Sequence, residues 1–286
     1  MRNSQHAGRR TGWGLVALVA VAVSSLVGCS KIRARAQMQD GNKAYKEGAY
    51  EEALARFEQG LSLDRKATFA FRSVGLSAMA LFRPGDTSPA NLKWADKAIS
   101  AFQTYLKDYP NDEKVEEWMV SLWVTSERYE KAIDYLKQQK RNHPGEPKYN
   151  TAIVSILIKA AHFQEAYAFA DQYSGKDAKI YYTIATSAWG KSYGDPTTRY
   201  EDRVAIVDLG LKAVQRAVDL RPDFSDAMVY FNLLYREKAK VDLDPERQKQ
   251  WLAQADEWRA KAIALREAQK AKPGSTAASA AAPTKG

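Results

Sequence analysis

The chain has 286 residues, 45% of them hydrophobic and 11% aromatic, with a net charge of +9 and a single cysteine. That length supports one extended repeat domain or up to two compact ones, with enough apolar residues for a sizeable core. One cysteine excludes an internal disulfide and a thiolate metal site. Three of the nine surplus charges (Arg2, Arg9 and Arg10) fall in a segment expected to be removed, leaving +6, which reads as an ordinary solvated surface rather than a nucleic-acid footprint.

Residues 1–28 read as a secretory signal. Arg9 and Arg10 provide a positive front, Trp13 to Val23 an uncharged apolar run, and Leu26, Val27 and Gly28 lead into Cys29. The run is shorter than a comfortable membrane span and lies at the extreme N-terminus. Leu26-Val27-Gly28-Cys29 resembles the lipobox of bacterial lipoproteins. The resemblance implies cleavage before Cys29, acylation of its thiol and new α-amine, and firm anchoring by several acyl chains. Ser30 in place of Asp resembles the outer-membrane sorting pattern, which implies an envelope protein facing the periplasm. Lys31, Arg33 and Arg35 come next, the first two in a short tether, 29–33; they either meet anionic head groups or form an exposed first helical turn.

Repeats begin at about residue 34. Gly41, Gly48, Tyr50, Ala53, Phe57, Leu61 and Leu63 form the clearest unit. Further on, Ala98, Ile99, Phe102, Leu106 and Pro110 recur thirty-four residues later as Ala132, Ile133, Leu136, Lys140 and Pro144. That is the period of one helix–turn–helix unit in a stacked array. Gly41 and Ala53 are expected where the helices of a pair cross most closely, Phe57 beside that crossing, and Gly48 at a turn needing positive φ. Proline closes the second helix of later units. These residues resemble the tetratricopeptide repeat, over about Ala34 to Ala268. The resemblance implies an all-α, right-handed superhelix (an α-solenoid) of six units spanning 34–268.

With Ala53 as the register, the second helices place Ala98, Ala132, Ala166, Gly210 and Ala255 in the matching position. Units two, five and six are ten or eleven residues too long, and the excess falls between the two helices. There Ser88-Pro89, Asp195-Pro196 and Asp244-Pro245 each pair a capping residue with a proline, a helix-start signal. The second helix is therefore expected to begin early and run about three turns longer in these units. Asp195, Asp242 and Asp244 lack the spacing and glycine of a calcium loop. Residues 269–286, rich in Ala, Pro, Ser and Thr without periodicity, read as a disordered tail.

No enzyme is legible. His143 and His162 sit in turns without a partner at ligand or catalytic spacing, and phosphate-cradling loops, nucleophile elbows and zinc motifs are missing. No metal or cofactor is expected beyond the covalent lipid on Cys29. The repeat resemblance implies binding along the first helix of each pair. Transferred by register, that face consists of Asn42, Tyr45, Lys46, Phe69, Arg72, Leu76, Met79, Ser121, Thr151, Ser155, Lys159, Tyr182, Trp189, Tyr193 and Arg236. Only Asn42 and Lys46 echo the carboxylate clamp of the chaperone-binding members. Aromatic and apolar residues at both ends favour an extended or helical peptide, while burial of Met79, Trp189 and Tyr193 between neighbouring units stays open. The expected partners are proteins or peptides of the cell envelope, and the membrane through the lipid; nucleic acid is not expected. Lipobox and repeats together resemble the pilotin lipoproteins of type IV pili, which help a secretin ring assemble. Barrel assembly, gliding motility or an accessory role to a cell-wall enzyme remain alternatives.

Overall fold

A computed structural model describes residues 30–173 and 176–271. Leu26, Val27, Gly28 and the lipidation candidate Cys29 lie outside the described residues. So do 272–286, most of the expected tail. The described residues contain helices and turns and no strand. The helices are α1 (30–46), α2 (Tyr50–Leu63), α3 (Ala70–Leu81), α4 (Pro89–Asp108), α5 (Glu113–Thr125), α6 (Tyr129–Asn142), α7 (Pro147–Lys159), α8 (Phe163–Tyr173), α9 (Ala178–Gly194), α10 (Tyr200–Leu220), α11 (Ser225–Val241) and α12 (Pro245–Ala271). Taken two by two, they are the six expected pairs. Residues 30–33 are already helical rather than a tether, and α12 carries the helix three residues into the expected tail.

The chain forms two compact units, one ending at Arg128 and the other beginning at Tyr129, in the turn of the third pair. In the first, α2 packs on α3, α3 on α4 and α4 on α5. In the second, each helix from α6 to α12 packs on its successor. There α7 also touches α9, α9 touches α11, and α8 touches α10. First helices thus layer on first helices and second on second, as a stack of repeats requires.

The register holds at atomic level. Ala53, Ala98, Ala132, Ala166 and Ala255 are fully buried and Gly210 is buried too. Four residues on, Phe57, Phe102, Leu136, Ala170 and Val214 are buried as well. In the last pair that position is the exposed Arg259, and Trp258 instead stacks on Phe231 with ring centroids 4.1 Å apart. Gly75 shows why the crossing demands a small residue: a Cβ there would sit 2.3 Å from the Phe102 ring. In the recurrence, Lys140 takes the place of Leu106. Its ammonium lies 2.8 Å from the centre of the Tyr173 ring and 5.1 Å from that of Phe169, so a cation–π contact replaces an aliphatic one. Burial pushes the Lys140 pKa down.

Three second helices are extended, by different routes. α4 has 20 residues and α10 has 21, against 14 in α2 and α6, so both gain under two turns rather than three. α12, with 27 residues, gains more than three. In the last two pairs the first helices also lengthen: α9 and α11 have 17 residues, against 12 in α3 and 13 in α5 and α7. Ser88 caps α4 by accepting from the Asn91 N–H at 3.3 Å, with Pro89 in the first turn. Asp244 accepts from the Glu246 N–H at 2.9 Å at the start of α12. Asp195 departs from its expected role. It follows the end of α9, accepting from Lys191 Nζ and from the Thr197 N–H and hydroxyl, while α10 begins only at Tyr200. Pro196 is therefore a loop residue.

Gly48 has φ +78° in the turn between α1 and α2. The corresponding turns of the next two thirty-four-residue units put Glu127 (φ 59°) and Ala161 (φ 60°) in the same left-handed region, where a side chain costs about 1–2 kcal/mol. Ala161→Gly should raise stability by about 1 kcal/mol, and Gly75→Ala should lower it by about 2–3 kcal/mol through overpacking. Urea midpoints at unchanged slope check both.

Candidate binding faces on the first helices

In the first compact unit, Asn42 and Lys46 are exposed and Tyr45 is half-buried, edge-on to Tyr50 at 5.2 Å. Phe69 precedes α3 and is 56% exposed. Leu76 and Met79 are half-buried along α3 and Ser121 is exposed on α5. Arg72 is already engaged: its guanidinium lies 5.0 Å over the Trp118 ring, with Nε 3.6 Å from Asp112 Oδ2. Asp112 also accepts from the Tyr105 hydroxyl at 3.0 Å and from the Val115 N–H at 3.2 Å, capping α5. Arg72 therefore ties α3 to α5 before it can meet a ligand.

In the second unit, Thr151, Ser155 and Lys159 are exposed along α7, and the Thr151 hydroxyl turns back toward the Pro147 carbonyl at 3.4 Å. The aromatic residues of α9 gather with α11. Tyr182 meets Phe224 at 4.8 Å and stands edge-on to Tyr230 at 5.5 Å. Trp189 stands edge-on to Tyr230 at 5.7 Å and stacks on Tyr193 at 5.0 Å, 14° from parallel. Tyr182, Trp189 and Tyr193, spaced seven and four apart, share one face of α9, so the row runs about 16 Å. Tyr182, Tyr230 and Trp189 are half-buried, whereas Tyr193 is 63% exposed with Lys240 Nζ 5.1 Å above its ring. Arg236 is engaged like Arg72, donating to Asn232 at 3.0 Å and Asp256 at 2.6 Å.

Sequence reasoning missed Tyr230, Lys240 and Trp118. Tyr230 and Lys240 lie on α11, where the register had marked only Arg236; aromatic content on both neighbouring first helices was the available signal. The candidate residues form two separate sets, one in each compact unit. The rings suit apolar and planar groups of an extended chain, while Lys240 at their edge is itself paired with Glu237 at 2.6 Å. His143 lies beside the Tyr149 ring and His162 Nδ1 is 3.5 Å from Glu165. Among the described residues no group of His, Cys, Asp or Glu is placed to hold a metal, and no helix is long and apolar enough to cross a membrane.

No protein-family model and no curated protein matches the chain. Solved structures that it is similar to are helical-repeat proteins. A tetratricopeptide-repeat protein from Bacteroides fragilis is 14% identical, with 72% of this chain and 98% of that one covered, at a TM-score of 0.42. YrrB, described as a tetratricopeptide-repeat protein with an unusual peptide-binding site, is 17% identical over 67% and 88%, at 0.36. MamA from Desulfovibrio magneticus is 17% identical over 83% and 97%, at 0.31. The fold assigned here rests on the helix pairing itself.

Burial raises the pKa of Tyr182, with the neighbouring Tyr230 and Asp226 adding to the shift; burial likewise raises Tyr45, Tyr167 and Tyr181. A phenol raised in the folded state contributes stability that is complete below its ordinary pKa near 10 and lost as pH climbs through the folded value. Phenolate absorbance should therefore show a class of tyrosines ionising later than free tyrosine, and the urea midpoint should fall between pH 9 and 11.

Proposed function

We propose that the chain is a non-catalytic, lipid-anchored scaffold that holds protein or peptide partners on the first-helix faces of its repeats. The observation carrying this reading is the row Tyr182, Tyr230, Trp189 and Tyr193, four large rings left half-buried or exposed along adjacent first helices. A core row would be covered, and aromatic residues are the residues that dominate protein interfaces. Leu26-Val27-Gly28-Cys29 supports the anchor, with Cys29 the acylated residue. Its thioether lipid and acylated amine would keep the scaffold at the outer membrane, facing the periplasm. Among envelope machines we assign it first to secretin assembly for type IV pili, on the pairing of lipobox with helical repeats. Deletion separates this from its rivals: lost pili support it, whereas lost outer-membrane barrels or lost gliding with intact pili contradict it.

Cys29→Ser should yield unprocessed precursor without palmitate label; normal labelling of that variant would sink the anchor. Trp189→Ala should reduce partner recovery from membranes at least tenfold, as loss of an interface anchor does, with helical circular dichroism unchanged. If helicity falls in parallel, the ring is packing and not a contact.

A further inference from the structure

The first helix carries charge that its packing does not use. Ala34, Met38, Gly41 and Ala44 are buried, and α2 closes over this side. Gly60 lies against Met38 and the Ala34 carbonyl, and the Phe57 ring lies against Gly41. Beside that face Lys31, Arg35, Gln39, Asn42 and Lys46 follow one another at spacings of four, four, three and four. They form one continuous stripe, about 22 Å long, with Lys43 at its flank. All six are exposed. None of the four cations enters an ion pair among the described residues. Other cations of the chain join elements of the fold: Lys97 of α4 reaches Glu58 of α2, Lys238 of α11 reaches Asp208 of α10 and Arg266 of α12 reaches Asp226 of α11. Toward its C-terminal end the stripe dips into an open depression of about 370 Å³ lined by Gln39, Asn42, Lys43, Lys46 and Glu47. At its other end Ile32 is 69% exposed.

We propose that this side of α1 is a lipid-contacting surface that lies along an anionic bilayer leaflet. Lys31, Arg35, Lys43 and Lys46 meet phospholipid phosphates, and Ile32 dips toward the acyl boundary. Charge complementarity selects the occupant. A juxtamembrane cation near an anionic leaflet strengthens partition about fivefold. Four cations spread along a straight face fit a charged plane better than the single terminal carboxylate of a peptide, and an exposed isoleucine beside them suits an interface. Proximity rests on the lipid-anchor reading, since the stripe begins two residues after Cys29. The assignment moves Asn42 and Lys46 from the partner face to the membrane face. Asp40, the one acid of α1, lies off the stripe, as does the cation Arg33; Glu47, just past the helix, lies at its rim.

The test uses the mature lipid-bearing chain in vesicles, with a nitroxide on Gln39→Cys, the acylated Cys29 thiol being blocked. Collisions with an aqueous nickel chelate should fall at least threefold in vesicles containing 30% phosphatidylglycerol relative to pure phosphatidylcholine. The combined Lys31→Gln, Arg35→Gln, Lys43→Gln, Lys46→Gln variant should abolish that protection while keeping its helicity. Equal chelate access in both lipids would overturn the proposal. So would protection conferred by an acidic peptide but not by anionic lipid, which would return the stripe to the partner face. Palmitate labelling is read separately. An unlabelled chain that still sediments with phosphatidylglycerol vesicles, and loses this in the four-glutamine variant, would retire the anchor and keep the lipid surface.

Discussion

The fold depends on how closely two helices of a pair can approach. Where Gly41 meets the Phe57 ring and Gly75 meets the Phe102 ring, the missing Cβ on the first helix makes room for an aromatic plane on the second. The buried alanine four residues before each ring keeps the second backbone close. With the small residues and their fillers turned inward at each crossing, only particular sides of each first helix remain free to carry anything else. In the later pairs the same demand is met differently. Gly210 receives Leu234 of the following first helix and lies near Ala188 of the preceding one, so one small position serves two neighbours. The last pair abandons the filler and stacks Trp258 on Phe231.

Much of this architecture was legible because it is periodic. Ala53, Ala98, Ala132, Ala166, Gly210 and Ala255 name the crossing in every second helix, and steric necessity allows few residues there. What periodicity does not carry is where an insertion goes. Asp195-Pro196 and Asp244-Pro245 look alike in sequence, yet Asp244 starts a helix and Asp195 finishes one. The difference lies in the flanks: Lys191 one turn back and Thr197 two residues on both donate to the Asp195 carboxylate and hold its pKa far below the usual carboxylate range. Site residues were legible as positions and not as roles. Arg72 and Arg236 stand on the expected faces, but each guanidinium is already held by carboxylates from a neighbouring element. Register cannot distinguish a cation that clasps the fold from one that awaits a ligand, because that depends on what lies within reach in three dimensions.

Once the engaged arginines are set aside, the residues left for recognition divide by chemistry. On α9 and α11 they are aromatic and partly covered, a surface that exchanges water for an apolar partner at little cost in side-chain freedom, since tyrosine and tryptophan have few rotamers to lose. On α1 they are exposed cations, whose affinity for an opposite charge falls with salt. The two surfaces therefore call for different occupants, a folded or extended protein segment for the first and a charged plane for the second. They also respond differently to conditions: salt weakens the α1 contact and leaves the aromatic one largely intact.

The central claim, that the first-helix faces hold a protein partner, is tested most directly by photocrosslinking in intact cells. A photoreactive side chain at Tyr193 or Phe69, both well exposed on those faces, should give a discrete protein adduct. The same side chain at Lys137, exposed on the second helix α6, should give none. An adduct at Lys137 with none at Tyr193 and Phe69 would contradict the account.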